Sequence, residues 1–216
     1  MPAILTIPLL KSEATAFATE ESSRDEPSLY GVTDGKAVGT YLEHKFQGYL
    51  RANYTFDEGS SAKGIDFPTL EVDIKVTSMR QPQSSCPFKS ARQKVYGLGY
   101  NLLVFVYDKT DDENARTCKL RIVHTIFVDL FRTADFQTTS GLLRILENSP
   151  NLDDILGFLS ERMLPLDDIQ ANALAEEILK SPPQLGYLTI SNALQWRLQY
   201  SRVIQQAGRV SGVDSL

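Results

Sequence analysis

An uninterrupted apolar run near the middle of the chain constrains the fold most strongly. Residues 101–107 read NLLVFVY and show no alternation of apolar and polar side chains. A strand of this kind is buried on both faces, so it must lie inside a sheet with other elements packed above and below. The 216 residues of the chain suffice for one domain of moderate size, or for one domain with a small appendage.

Periodic segments around this run supply the rest of an α/β core. Apolar residues recur every three or four positions between Val38 and Tyr49, which predicts an amphipathic helix with Asp34 as its cap. The segment 70–77 alternates apolar and polar residues, which predicts a strand with one apolar and one charged face. A polar, proline-containing surface loop at 80–93 leads into a helix near Ser90, and residues 119–130 predict a further strand. We expect a central mixed β-sheet flanked by helices.

The two ends of the chain differ from this core. Residues 1–32 predict a flexible N-terminal lead-in, because 11–31 are rich in Ser, Thr and Glu. Residues 33–135 form the predicted core, and 136–216 predict a helical C-terminal part that binds DNA or forms a dimer interface. Two short helices, at 191–198 and 200–207, would form a helix-turn-helix, although a packing role for their apolar residues is equally open. Its DNA-facing residues would be Arg197, Gln199, Tyr200, Ser201 and Arg202.

Composition excludes several classes of protein. The chain has no apolar stretch long enough for a membrane span, and its first residues lack the features of a signal peptide, so we expect a cytoplasmic protein without membrane contact. Cys86 and Cys118 are too few and too far apart for a disulfide framework or a zinc site. His44 and His124 are the only histidines, and neither lies near a nucleophile motif.

The formal net charge of −5 is unevenly distributed. Residues 61–110 hold seven lysines and arginines against four acidic residues, whereas the rest of the chain is acidic. An anionic partner would therefore meet the middle of the chain.

Acidic residues cluster in the same middle region. A tight turn at Pro68-Thr69 would place Asp66 opposite Glu71, and Asp66 diagonal to Asp73 at roughly 7 Å. These carboxylates and Lys75 would then share one face of the sheet. Crowded carboxylates repel one another unless a cation neutralises them, and hard oxygen ligands suit Mg²⁺. A lysine on the same face would contact the attacking water or a scissile phosphate, so these groups suffice for phosphodiester hydrolysis.

At these residues the chain resembles the PD-(D/E)xK nuclease superfamily. The resemblance rests on GID at 64–66 and EVDIK at 71–75, within the order of helix, two strands, helix and strand, and it covers residues 35–130. The amino-acid sequence of residues 65–78 and 81–109 most resembles those of bacterial type II restriction endonucleases. Ile65 occupies the position at which the PD-(D/E)xK motif has proline. The spacing of seven residues between Asp66 and Asp73 is short for the family.

The resemblance implies a function and assigns roles to residues. Asp66 and Asp73 would bind Mg²⁺ with the Ile74 carbonyl, Lys75 would be the catalytic lysine that orients the attacking water, and Glu43 would help to hold the site. Glu71 remains an alternative ligand. The implied activity is cleavage of double-stranded DNA at a specific short sequence by a homodimer. A structure-specific repair or recombination nuclease and a non-catalytic DNA-binding subunit are the alternatives.

The loop after the Lys75 strand is a candidate for base recognition. Arginine and glutamine read guanine and adenine edges in the major groove, while serine and lysine more often contact phosphates. An ordinary polar loop is the competing interpretation. The candidate residues are Arg80, Gln81, Gln83, Ser84, Ser85, Lys89 and Arg92.

Overall fold

A computed structural model describes residues 2–57, 59, 64–86, 89–191 and 196–216. The chain divides into two compact units. The first unit contains Met1–Ser84, Asn101–Val128 and Gln206–Leu216. The second contains Ser85–Tyr100 and Asp129–Gln205. None of the helices in these described ranges combines the length and the apolar character that a bilayer-spanning segment needs.

The described part of the chain forms both α-helices and β-strands. They are β1 (Ala3–Ile4), α1 (Ile7–Ser23), β2 (Asp25–Glu26), α2 (Gly35–Arg51), β3 (Tyr54–Thr55), β4 (Val72–Ser78), β5 (Gln83–Cys86), α3 (Arg92–Tyr96), β6 (Asn101–Asp112), β7 (Thr117–Val128), α4 (Phe136–Leu146), α5 (Leu152–Glu161), α6 (Asp168–Lys180), β8 (Thr189–Ile190), β9 (Trp196–Gln199), α7 (Ser201–Gln206) and β10 (Val213–Ser215).

The main sheet of the first unit is mixed. Strand β6 lies between β4, to which it is parallel, and β7, to which it is antiparallel. The short strands β2 and β10 extend the sheet by pairing with β7. Every residue from Asn101 to Tyr107 is buried, as the unbroken apolar run predicts. The predicted α/β class, with a mixed sheet flanked by helices, is confirmed.

Helix α2 matches its prediction closely. The Asp34 side chain accepts a hydrogen bond from the Lys36 backbone N–H at 3.0 Å, which caps the helix. Val38, Leu42 and Phe46 are fully or almost fully buried in a cluster that includes Ile74 of β4. This packing holds α2 against the strand that carries the acidic residues.

The N-terminal lead-in was predicted to lack structure, and that prediction is wrong for α1. Thr6 caps this helix, and Leu10, Ala14 and Phe17 are buried in the core of the first unit. These residues recur at spacings of four and three, but the Ser, Thr and Glu residues between them lower the average hydropathy. A periodic buried stripe stabilises a helix even when its mean composition is polar.

The turn before β4 also differs from the prediction. Phe67 exchanges two backbone hydrogen bonds with Val72, at 2.9 and 3.2 Å, rather than pairing with Leu70. A 3₁₀ segment, Pro68–Leu70, and Glu71 close the turn, and Glu71 has a left-handed φ of 53°. The strand therefore begins at Val72, two residues later than predicted.

The helices of the second unit surround a separate apolar core, which includes Val95, Leu142 and Ile178. Helix α5 begins with a reciprocal capping box: the Asp154 N–H donates to the Asn151 side chain at 3.0 Å, and the Asn151 N–H donates to the Asp154 side chain at 2.9 Å. Helix α4 begins at Phe136 after the cap Asp135.

The predicted helix-turn-helix is wrong. Residues 196–199 form β9, which pairs with β8, and α7 has only six residues. Leu198 and Tyr200 are buried while Arg197 and Gln199 are exposed, which is the alternation of a strand. The buried Tyr200 faces away from solvent, so it cannot take the predicted DNA contact. Residues 192–195 of the predicted 191–198 helix lie outside the described residues.

The 80–93 loop is partly a strand as well. Residues Gln83–Cys86 form β5 rather than an irregular segment. The predicted helix near Ser90 is present as α3, which begins at Arg92. Residues 87 and 88 lie outside the described residues.

Candidate active site

Two elements of the first unit bring four predicted site residues together. Strand β4 carries Asp73 and Lys75, which alternate with Val72 and Ile74 and so point to the same side of the sheet. Asp66 lies directly before the residue that pairs with Val72, and the antiparallel register places it across from Asp73. Glu43 enters from α2.

The pairing shift of two residues preserves the predicted arrangement of Asp66. Side chains in a strand alternate with a period of two, so a shift of two residues keeps each side chain on its face. Asp66 faces Asp73 directly instead of lying diagonal to it. The structure thus confirms that the two residues share a face and corrects their register.

Ile74 connects the two acidic residues through its backbone. Its N–H donates a hydrogen bond to Asp66 Oδ2 at 2.7 Å. The N–H and C=O of one strand residue point to the same side, and β4 pairs with β6 on its other side. The Ile74 carbonyl therefore also points toward the edge where Asp66 lies.

Asp73 is buried, with only 4% of its surface exposed. Burial raises the pKa of Asp73 to about 7, the ion pair with Lys75 opposes this rise, and the neighbouring Asp66 carboxyl group adds to it. The charged face of this strand is largely covered, because Asp73 and Thr77 are buried and Lys75 is half-buried. Two adjacent carboxyl groups in such surroundings require a shared proton or a cation.

Lys75 contacts the acidic group directly. Its Nζ lies 2.6 Å from Asp73 Oδ2. Burial lowers the pKa of Lys75, but the carboxylates of Asp73, Asp66 and Glu43 outweigh burial and leave the pKa above its ordinary value. Lys75 is therefore an ammonium group at neutral pH.

Glu43 lies within electrostatic reach of the other three residues. Burial and the negative charge of Asp66 raise the pKa of Glu43 to about 7, with Lys75 opposing and Asp73 adding to the rise. The helical carboxylate singled out in the sequence therefore belongs to the same cluster of charges.

Glu71 does not join this cluster. Its side chain is exposed, and its left-handed backbone places it in the turn rather than on β4. Its carbonyl accepts hydrogen bonds from the backbone and the side chain of Asn101, at 2.7 and 3.1 Å. The role of this residue in the structure is thus to close the turn.

Gln47 and Gly59 are two further neighbours of Asp66 that the sequence analysis did not identify. Gln47 Nε2 donates a hydrogen bond to Asp66 Oδ1 at 3.2 Å. Gln47 follows Glu43 by four residues on α2, and this spacing places the two side chains next to each other on the helix surface. The Gly59 N–H donates to the Asp66 carbonyl at 2.9 Å. A Cβ on Gly59 would lie 1.8 Å from the Ile65 carbonyl oxygen, so this close approach requires glycine.

The donor set fits a hard divalent cation. Asp66 and Asp73 offer carboxylate oxygens, and the Ile74 carbonyl points to the same edge, which suits an ion that retains several waters. In the described part of the chain, no three His, Cys, Asp or Glu residues are arranged to hold a metal ion, so protein ligands alone would not complete a shell here. Mg²⁺ is bound by few protein ligands, and this arrangement matches its preference.

The candidate DNA-reading residues fall in two groups. Arg80 and Gln81 are exposed in the turn that directly follows β4, where the Arg80 N–H donates to Ser78 Oγ at 3.2 Å. Gln83 and Ser84 follow in the first unit and are half-buried. Residues Ser85, Lys89 and Arg92 belong to the second unit and are exposed.

Arg92 is already paired within the second unit. Its Nε and Nη2 donate to the Glu177 carboxylate at 3.0 and 2.5 Å, and its guanidinium lies over the Tyr96 ring. This bidentate contact would have to break before Arg92 could read a base.

Comparisons with known proteins cover almost the whole chain. Residues 4–215 match the family described as type II restriction enzyme NspV. A curated protein of that name from Nostoc sp. (strain ATCC 29411 / PCC 7524) is 62% identical over 210 residues, which cover 97% of this chain and 96% of the relative. No solved structure matches the chain.

Proposed function

The chain belongs to the NspV family of type II restriction enzymes, and from this premise we propose that it hydrolyses double-stranded DNA at one short sequence with Mg²⁺ as its cofactor. The observation that carries the chemical part of the proposal is the 2.6 Å contact between Lys75 Nζ and the buried Asp73 carboxylate, with Asp66 directly across from Asp73. This arrangement combines a hard-metal ligand pair with a cation beside it.

Asp66 and Asp73 are the proposed metal ligands, with the Ile74 carbonyl as a third donor. Carboxylate and carbonyl oxygens are the ligands that Mg²⁺ prefers, and water would occupy its remaining positions. A bound Mg²⁺ supplies a Lewis acid for the scissile phosphate and lowers the pKa of a bound water.

Lys75 is the proposed catalytic residue that orients the attacking water. Its ammonium group donates hydrogen bonds and stabilises the negative charge that develops on the phosphate oxygens. The water oxygen forms a bond to phosphorus while one P–O ester bond breaks. The water releases one proton, and the leaving oxygen takes one up. Glu43 is a proposed accessory carboxylate that holds the arrangement from α2.

Base recognition is proposed for the segment after β4. Arg80 and Gln81 are its strongest candidates, because both are exposed in the turn directly after the strand that carries Lys75. Each well-formed bidentate contact with a base contributes about 1–3 kcal/mol of discrimination. Gln83, Ser84, Ser85, Lys89 and Arg92 are the remaining candidates in this segment.

A homodimer is proposed as the active form. Two related active sites cut both strands of a palindromic sequence most simply when a two-fold axis relates them. Residues 136–216 are the proposed region for the dimer interface or for further DNA contacts. Light scattering on the purified protein should give about twice the mass of one chain.

Cleavage of phage and plasmid DNA tests the proposed activity. The protein should produce discrete fragments with Mg²⁺ and none with EDTA, and Asp73→Ala should be inactive. Glu113→Ala, which changes an exposed carboxylate in the turn between β6 and β7, should cleave like the unsubstituted protein. Cleavage restricted to branched or damaged DNA would contradict sequence-specific restriction, and full activity of Asp73→Ala would contradict the metal site.

A further inference from the structure

Gln47 makes a contact that neither the family membership nor the proposed metal ligands explain. It lies on α2 one helical turn after Glu43, and its Nε2 donates to Asp66 Oδ1 at 3.2 Å. The other oxygen of the same carboxylate, Oδ2, accepts from the Ile74 N–H at 2.7 Å. Each oxygen of Asp66 is therefore held by one neutral donor, one from α2 and one from β4.

These two donors define the orientation of the Asp66 carboxylate. The Ile74 N–H alone leaves the group free to rotate about that one hydrogen bond. The Gln47 amide removes this freedom, because it binds the second oxygen from a different element. Asp66 is half-buried and precedes the turn at Pro68–Leu70, so its own surroundings restrain it less than those of Asp73.

The chemical character of Gln47 also suits a site for a cation. A lysine or arginine at this position would donate equally well to Asp66 but would repel a metal ion nearby. A neutral amide donates without that repulsion. The remaining lone pairs of the Asp66 carboxylate stay available for the metal ion. Mutation of a group that hydrogen-bonds to a metal ligand typically lowers metal affinity by 10–100-fold.

We propose that Gln47 is a positioning residue that holds the Asp66 carboxylate in the orientation required for binding the metal ion. This inference rests on the proposed function of Asp66 as a metal ligand. Gln47 acts through Asp66 and has no assigned contact with substrate.

Gln47→Met tests the proposal because it keeps the length of the side chain and removes the donor. Ser12→Met, which places the same new side chain at an exposed position on α1, is the control. Binding of Mn²⁺ without DNA is followed by electron paramagnetic resonance, and DNA cleavage is measured across a series of Mg²⁺ concentrations. Thermal unfolding in EDTA reports on the fold, and Gln47→Ala serves as a second variant should methionine not fit.

The variant should bind Mn²⁺ about 10–100-fold more weakly, and its half-saturating Mg²⁺ concentration should rise by a similar factor. At saturating Mg²⁺ its cleavage rate should return close to that of the unsubstituted protein, and Ser12→Met should match that protein throughout. Unchanged metal affinity would overturn the inference, and so would an equal loss of rate at every Mg²⁺ concentration. If the unsubstituted protein neither bound Mn²⁺ nor required Mg²⁺, the proposed function itself would fail.

Discussion

The side chain of Lys75 is placed where a substrate can reach it, whereas its partner Asp73 is not. The Lys75 side chain keeps 19% of its surface exposed, against 6% for Asp73. Burial lowers the pKa of Lys75, but Asp73, Asp66 and Glu43 together raise it above its ordinary value. An ammonium group donates hydrogen bonds and has no lone pair with which to accept a proton. These properties favour charge stabilisation and water orientation over a role as general base.

Lys75→Met should reduce the cleavage rate by about 100-fold or more while the protein still binds its DNA sequence, because one electrostatic stabiliser typically contributes 10²–10³ in rate. Single-turnover cleavage and gel-shift binding measure the two effects separately. Lys36→Met, on the exposed first turn of α2, is the control and should retain full activity. Normal cleavage by Lys75→Met would show that another group orients the water.

At the scale of elements, α1, β2 and α2 are joined by a polar network away from the active site. Lys45 Nζ on α2 lies 2.9 Å from Glu21 on α1 and 3.2 Å from Glu26 on β2. Tyr41 hydrogen-bonds to both carboxylates. Glu21 is only 2% exposed, so its charge depends on these partners for compensation. The network therefore helps to hold α2, and with it Glu43, in place.

Lys45→Met should destabilise the fold by about 3 kcal/mol, at the lower end of the cost of breaking a buried ion pair, because Lys45 retains some exposure. The methionine leaves the buried Glu21 without its cation. Urea denaturation followed by circular dichroism measures the change. Lys180→Met removes an exposed pair with Glu176 and should cost no more than about 0.5 kcal/mol. Equal effects of the two substitutions would exclude a special role for the network.

The same network makes stability depend on pH. Burial raises the pKa of Glu26, but hydrogen bonds from Tyr41, Ser28 and Lys45 outweigh burial and lower the pKa to about 2. The ionised form thus contributes stability that is fully present above pH 4.5, the ordinary pKa, and is lost as the pH falls toward 2. Glu26→Gln should therefore lower the Tm at pH 7, and the difference from the unsubstituted protein should shrink at pH 4 and further at pH 3. A difference that is constant across this range would contradict the assignment.

At the scale of the whole molecule, the proposed metal site and the sheet core belong to one compact unit, and the candidate recognition residues are divided between both units. Glu43, Asp66, Asp73 and Lys75 all lie in the first unit. The second unit has its own apolar core, which does not include residues of the site. A ligand bound at the acidic cluster should accordingly stabilise the first unit, because it binds the folded form and not the unfolded chain.

Addition of Mg²⁺ should raise the Tm of the unsubstituted protein. At one hundred times its dissociation constant, a ligand of the native state stabilises by about 2.7 kcal/mol. Differential scanning fluorimetry with a Mg²⁺ series and an EDTA reference measures the shift. Asp66→Asn and Asp73→Asn should each remove most of this shift, whereas Glu113→Gln should not. A shift that survives in both site variants would place the metal elsewhere.

Local patterns predicted much of the fold and most of the candidate site. The apolar run at 101–107 and the apolar stripe of α2 are short-range patterns. The structure contains the buried strand and the amphipathic helix that they predict. Asp66 and Asp73 share one face of the sheet as predicted, although the predicted turn between them is wrong. A register shift of two residues leaves each side chain on the same face. The structure also brings Glu43, Asp66, Asp73 and Lys75 together, while their catalytic roles remain a prediction.

Other features depended on contacts between distant segments. Residues 196–199 became a strand because β8 supplies a partner, which outweighs a weak helical pattern. Helix α1 is stabilised by packing against the sheet, and its polar average composition conceals that stripe. The burial of Asp73 could not be read from the alternation of β4, since alternation does not reveal what covers the polar face.

The sequence by itself determined which residue types alternate, which segments can be helical or extended, and which acidic and basic groups share a strand. These properties follow from backbone geometry and side-chain chemistry within a few residues. Only the tertiary structure decided that Gln47 meets Asp66, that Glu71 closes a turn, and that the Asp73 carboxyl is buried. Burial and long-range hydrogen bonds arise when separate segments pack together, and they set the pKa values and orientations on which the proposed chemistry depends.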